Sequence, residues 1–210
     1  MKKYKVYLFD FDGTLLDTLP ALEHVFKVSY AHIGVEYDPS FTLEFSRVPL
    51  NVSYEKIGAP KEKWNEFIAY IDYSLDLPES LLSNSFYEDS KPFFDYLKTH
   101  NIFAGIVTSN NIKHVKEVFE ILEIDPDIFQ LFIGNKECQH FKPHPDPILK
   151  AIEKMKYTGD LHDIVYIGDG LNDTISANEA GVDAILIDRT NQFPGSDKYL
   201  KIKSLMELFN

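Results

Sequence analysis

Short apolar runs that alternate with segments of helical spacing set the architecture of this chain. Residues 5–9, 102–107, 164–167 and 184–187 are rich in β-branched, aliphatic and aromatic side chains and read as buried strands. Each of the three later runs follows a stretch with apolar residues three or four apart, such as Phe93, Phe94 and Leu97 ahead of residues 102–107. A weaker strand is expected over residues 129–133. Strands joined through helices need crossover connections, and crossovers build a parallel sheet covered on both faces. The predicted fold is a doubly wound α/β core.

One stretch breaks the rhythm. Between the first strand and a helix beginning near Ser90 there is no buried strand, and the gap far exceeds an ordinary connection of about 2–6 residues. Its apolar residues keep helical spacing: Leu22, Val25, Phe26, Tyr30 and Ile33, then Trp64, Phe67, Ile68, Ile71 and Leu75. Pro39, Pro49, Gly58-Ala59-Pro60 and Pro78 divide it into short helices. Residues 16–86 are therefore expected to form an inserted all-helical domain, with the α/β core built from residues 1–15 and 87–210. Hinges are expected near residues 15–19 and 86–90. Phe41, Phe45, Tyr54, Trp64, Phe67 and Tyr70 are expected to pack the insert's own interior.

Composition excludes several function classes. The 210 residues carry 33 acidic and 21 basic side chains, a net charge of -12, which argues against holding nucleic acid by phosphate neutralisation. No apolar run approaches the roughly 20 residues that span a bilayer, so no membrane partner is expected. The first residues resemble the start of a secretory signal, but Asp10 and Asp12 interrupt the apolar stretch, and a cytoplasmic location is expected. The single Cys138 has no partner for an internal disulfide.

In open parallel sheets, ligands bind beyond the carboxyl ends of the strands. Here the first strand ends in Asp10 and Asp12, and the second in Thr108-Ser109-Asn110. A later loop brings Lys142, and the fourth strand ends in Gly168-Asp169-Gly170-Leu171-Asn172-Asp173. Carboxylates gathered at one point repel one another unless a cation joins them, and an oxygen-only donor set suits a hard ion such as Mg²⁺. A carboxylate such as Asp10 can act as a covalent nucleophile. Asp12 on the same turn can serve as general acid and then base. Thr108 and nearby helix-start amides suit phosphoryl oxygens, and Lys142 suits their charge.

Asp10-Phe11-Asp12-Gly13-Thr14, Thr108-Ser109-Asn110, Lys142-Pro143 and Gly168 to Asp173 resemble, in order, the four motifs of the haloacid dehalogenase-like hydrolase superfamily. The resemblance covers nearly the whole chain, and the helical insert after the first motif is similar to the cap shared by phosphoglycolate phosphatase and β-phosphoglucomutase. It implies that Asp10 is phosphorylated and that Asp12 is the acid/base, with its carbonyl on Mg²⁺. It implies further that Thr108 and the Ser109 amide hold the phosphoryl group and that Lys142 braces Asp10. By the same resemblance Asp169 binds the metal, and Asp173 binds it through water or orients its neighbours.

Dehalogenases of the family work without Mg²⁺ and lack an aspartate at the position of Asp12. The mutases carry a cap histidine twelve residues after the nucleophile, where this chain has Leu22. His24 lies two residues on, turned by roughly 200° about the helix. Mg²⁺-dependent hydrolysis of a small phosphorylated metabolite is the expected activity. A phosphomutase and an idle binding protein on the same scaffold are the alternatives. Phosphoglycolate, a sugar phosphate, a nucleoside monophosphate and pyrophosphate all fit as substrates. Arg47, one of two arginines, is a candidate for gripping a second anionic group, and a solvent-facing charge is the other reading of it.

Overall fold

A computed structural model describes residues 2–46 and 48–209. Its strands are β1 (Val6–Phe9), β2 (Leu16–Asp17), β3 (Ser85–Phe86), β4 (Phe103–Val107), β5 (Leu131–Ile133), β6 (Ile164–Gly168), β7 (Asp183–Ile187) and β8 (Leu200–Ile202). The α-helices are α1 (Leu19–His32), α2 (Thr42–Phe45), α3 (Leu50–Lys56), α4 (Trp64–Leu75), α5 (Pro78–Leu82), α6 (Ser90–Thr99), α7 (Ile112–Ile121), α8 (Asp146–Lys154) and α9 (Leu171–Glu179).

Six strands form one sheet in the order β5-β4-β1-β6-β7-β8, each paired in parallel with its neighbours. The chain winds outward from β1 in one direction, returns, and winds outward in the other. The reversal therefore falls beside β1, where doubly wound sheets bind their ligands. Period-two alternation sorts the central side chains between two cores. Tyr7 and Phe9 of β1 face one cluster with Phe93, Phe94 and Leu97 of α6 and Val115, Val118 and Phe119 of α7. Val6 and Leu8 face the other, with Ile148 and Ala151 of α8 and Ala177 of α9. A sheet buried on both faces explains why its strands read as unbroken apolar runs.

The chain divides into two compact units. Residues up to Leu16 together with Phe86 onward make one, and Asp17–Ser85 make the other. Each boundary lies one residue from the expected one, because Leu16 and Phe86 are both buried in the core's aromatic cluster. The two connecting passages pair as the short ladder β2-β3. The edge strand β8 escaped the sequence analysis: it alternates Leu200, Lys201 and Ile202, and at three residues offers too little pattern.

The second unit holds α1 to α5. Tyr30 is fully buried at its centre, stacked 5.4 Å from Tyr37 and tilted against Phe67 at 4.6 Å. Phe45, Tyr54 and Phe67 are in this cluster, with Phe41, Trp64 and Leu22 packed against it. Tyr70 lies outside it and stacks on His32 at 3.9 Å. Arg47 lies outside the described residues. No helix among the described residues is long and apolar enough to cross a membrane.

Candidate active site

The ladder that holds β1 continues one step past its end, where the Asp10 amide donates to the Ile167 carbonyl at 2.8 Å. Asp10 thus keeps strand geometry, and alternation puts it on the Leu8 side of the sheet. The chain then folds back at once. Leu15 and Leu16 amides both donate to the Phe11 carbonyl at 3.0 Å, and the Gly13 amide donates to Leu16 O at 2.8 Å. Gly13 sits at φ +75°, and a β-carbon there would lie 2.5 Å from Asp169 Oδ2. Only glycine meets both demands, a left-handed backbone and a neighbouring carboxylate against its face.

Thr108 directly follows β4 and is buried, with its hydroxyl oxygen accepting from the Asn110 amide at 3.1 Å. Ser109 is exposed. Asn111 starts α7 as its cap, accepting from the Lys113 amide at 3.0 Å. Asn110 Nδ2 donates to Asp12 Oδ2 at 3.3 Å. The Asp12 carboxylate is thus steered toward the start of α7, away from the other carboxylates.

Those others converge. Asp10, Asp169 and Asp173 each bring one carboxylate oxygen within 4.8 Å of the rest. Lys142 lies among them, 3.0 Å from Asp10 Oδ1 and 2.7 Å from Asp173 Oδ1, with a side chain only 7% exposed. Asp173 also caps α9, accepting from the Gly170 amide through Oδ2 at 3.0 Å. Both its oxygens are engaged, so it orients Lys142 as well as adding charge. A β-carbon on Gly168 would collide with the Asp173 carboxylate, which keeps that position bare. Asp169 receives the Thr14 hydroxyl at 3.4 Å. Tyr166, in the middle of β6, aims its hydroxyl at Lys142 (3.0 Å) and at the Val107 carbonyl (2.7 Å).

The electrostatics follow from this crowding. Burial pushes the Asp10 carboxyl up; Lys142 pulls it down, and Asp173, Asp169 and Asp12 push it up again, to about 8. Burial also raises Asp12, against the pull of Asn110, His114 and Lys142. Burial lowers Lys142, but Asp10 and Asp173 outweigh it and hold the ammonium well above the ordinary lysine value. One ammonium does not neutralise the three carboxylates of the cluster. The oxygen-only cluster and the bare faces of Gly13 and Gly168 fit a hard divalent cation such as Mg²⁺.

Of the candidates named from the sequence, Asp10, Lys142, Asp169 and Asp173 enter this cluster. The Asp12 carboxylate and Ser109 do not. Thr108 follows Val107, whose carbonyl meets Tyr166, and Arg47 lies outside the described residues. Tyr166 and the Asn110–Asp12 contact were missed. The signal for Tyr166 was a hydroxyl in an otherwise apolar buried strand, Ile164-Val165-Tyr166-Ile167. A buried phenol needs a partner, and that need points to the strand end.

Comparison with known proteins identifies the family. The sequence profile of the haloacid dehalogenase-like hydrolases matches residues 7–187, and the chain belongs to that family. A protein of Caldanaerobacter subterraneus subsp. tengcongensis, provisionally named pyrophosphatase PpaX, is 28% identical over 187 residues, 88% of this chain and 82% of its own. Phosphoglycolate phosphatase of Mannheimia succiniciproducens is 26% identical over 193 residues, 87% of this chain and 85% of its own. The crystal structure of a HAD-superfamily hydrolase from Geobacter sulfurreducens, 20% identical, superposes with a TM-score of 0.74 over 98% of each chain and shows the same fold.

Proposed function

We propose that this hydrolase cleaves a small phosphomonoester through an aspartyl-phosphate on Asp10. The observation that carries the reading is the meeting of Asp10, Asp169 and Asp173 around the Lys142 ammonium. In the first step a carboxylate oxygen of Asp10 bonds to phosphorus, the ester P–O bond breaks, and Asp12 gives its proton to the leaving oxygen. Burial keeps Asp12 above the ordinary carboxyl range, which suits a proton donor. In the second step Asp12 takes a proton from water, the water oxygen bonds to phosphorus, and the Asp10–phosphorus bond breaks to free phosphate.

The Thr108 hydroxyl and Ser109 amide hold phosphoryl oxygens, and Lys142 steadies Asp10 while offsetting charge on the transferring group. The carboxylates of Asp10 and Asp169 and the Asp12 carbonyl would hold Mg²⁺, with Asp173 reaching it through water or orienting its neighbours, and the ion would supply positive charge against the phosphoryl oxygens. The helical unit Asp17–Ser85 is assigned the role of a cap that selects substrate and excludes water; its insertion directly after the Asp10–Asp12 loop supports this. Leu22 supports hydrolysis over intramolecular transfer, since it packs against the insert's core and brings no basic side chain.

The test is phosphate release from phosphoglycolate, pyrophosphate, sugar phosphates, nucleoside monophosphates and an aryl phosphate, with Mg²⁺ or with EDTA. Release that requires Mg²⁺ and disappears in Asp10→Asn is expected. Activity surviving in that variant would sink the assignment of the nucleophile.

A further inference from the structure

The Lys142 ammonium has three protons to donate and is almost wholly buried, so three acceptors are needed to hold it without loss. Asp10 Oδ1 at 3.0 Å and Asp173 Oδ1 at 2.7 Å supply two. The third is Tyr166 Oη, also at 3.0 Å. We propose that Tyr166 is a positioning residue for phosphoryl transfer: its hydroxyl oxygen completes the tripod that fixes Lys142 against Asp10. This rests on the hydrolytic reading above.

The direction of the hydrogen bonds supports the assignment. A phenol has one proton, and the Val107 carbonyl takes it at 2.7 Å. Toward Lys142 the oxygen can therefore only accept. Its 3.4 Å approach to Asp173 Oδ1 is the closeness of two acceptors sharing one ammonium. Val107 is the residue before Thr108, so one buried hydroxyl links the phosphate-holding end of β4 to the ammonium from the loop ahead of α8 and to β6 itself. Lysine's head is a point charge on a long flexible stem and has no fixed fork of its own. The protein must supply the geometry, and a third carboxylate in place of the phenol would overcharge the cluster.

Replacing the hydroxyl leaves one ammonium proton unpaired and lets the head swing from Asp10. Tyr166→Phe is expected to lower kcat about tenfold with KM within about twofold. A role confined to propping up the fold would lower thermal stability without that split. The binding of orthovanadate with Mg²⁺, followed calorimetrically, provides a readout that needs no turnover. It is measured in wild type, Tyr166→Phe, Lys142→Ala and the double variant. Tyr166→Phe is expected to weaken vanadate about tenfold when Lys142 is present and not at all when it is absent.

Should Tyr166→Phe fail to fold, Tyr166→4-aminophenylalanine keeps a donor for Val107 but offers Lys142 only the poor lone pair of an aniline. It is expected to fold and to show the same loss. Wild-type kcat in either folded variant, or equal loss of vanadate affinity in both Lys142 backgrounds, overturns the inference alone. A wild-type protein that releases no phosphate from any ester overturns the hydrolytic reading and this inference with it.

Discussion

Arg189 places Nη1 2.9 Å from Asp89 Oδ2, joining the segment after β7 to the start of α6. Its Nη2 donates to the Thr14 carbonyl at 2.9 Å, and its guanidinium lies 3.8 Å over the Tyr87 ring. Asp89 Oδ2 also accepts from Ser204 Oγ at 2.7 Å and the Leu205 amide at 2.9 Å. Thr14 reaches Asp169 through its hydroxyl, so the backbone behind the carboxylate cluster is braced by an ion pair remote from the chemistry.

Removing the cation from this pair leaves a buried carboxylate behind. Arg189→Ala is expected to destabilise the protein by about 3 kcal/mol, read from urea midpoints at neutral pH. The pH dependence has a definite sign. Burial pushes Asp89 up, but Arg189, Ser204 and the Leu205 amide outweigh it and hold the carboxyl below its ordinary value. Its contribution is therefore present above the unfolded-state value of about 4 and is lost as pH falls through the lower folded value. The stability gap between wild type and Asp89→Asn should narrow as pH drops below about 4.

Asp10 shows the opposite linkage. With its carboxyl raised to about 8, the folded protein binds a proton that the unfolded chain releases near pH 4. Its ionisation therefore costs stability as pH rises from about 4 toward 8. In EDTA, Asp10→Asn is expected to melt higher than wild type at pH 8 and to flatten that decline. A lower melting temperature at pH 8 would show that the Lys142–Asp10 contact outweighs the crowding.

Gly13 separates activity from stability. A methyl group at Gly13 runs into the Asp169 carboxylate and asks an L-residue to hold φ +75°. Gly13→Ala is expected to cost about 1–2 kcal/mol and, by moving Asp169, to weaken Mg²⁺ binding at least tenfold in a titration. Unchanged Mg²⁺ affinity would remove Asp169 from the metal site.

On the hydrolytic reading proposed above, Asp12 carries a leaving-group signature. Asp12→Asn cannot protonate a departing alkoxide, so hydrolysis of an alkyl phosphate should fall by about 10²–10⁴. An aryl phosphate, whose leaving group needs little protonation, should suffer far less in the first step. Equal losses on both esters would argue that Asp12 acts only through its backbone.

The central strands were legible because burial on both faces leaves them almost wholly apolar, tyrosine hydroxyls apart, so the ends of β1, β4 and β6 are marked by Asp10, Thr108 and Asp169. Asp10, Thr108 and Asp169 each stand directly after a strand, which is why sequence order alone located them. Lys142 was legible only through its motif, since its loop has no periodicity. What escaped depends on contacts distant in sequence: Tyr166 with Lys142, Asn110 with Asp12, and Arg189 with Asp89. β8 escaped because three residues at a sheet edge carry too little apolar pattern.

The short ladder of Leu16–Asp17 with Ser85–Phe86 bears on loop closure. Paired strands lie roughly 4.8 Å apart, so the chain leaves the core and re-enters it at adjacent points. To the core, everything between is one closed loop, and its length adds only logarithmically to the entropy of closing it. Such an insertion point tolerates exchange: helices can be added, lost or replaced there while the Asp10 loop and Ser90, tied to the Leu15 carbonyl at 2.8 Å, keep their register. The inserted unit and the core are thereby free to diverge at different rates along one polypeptide.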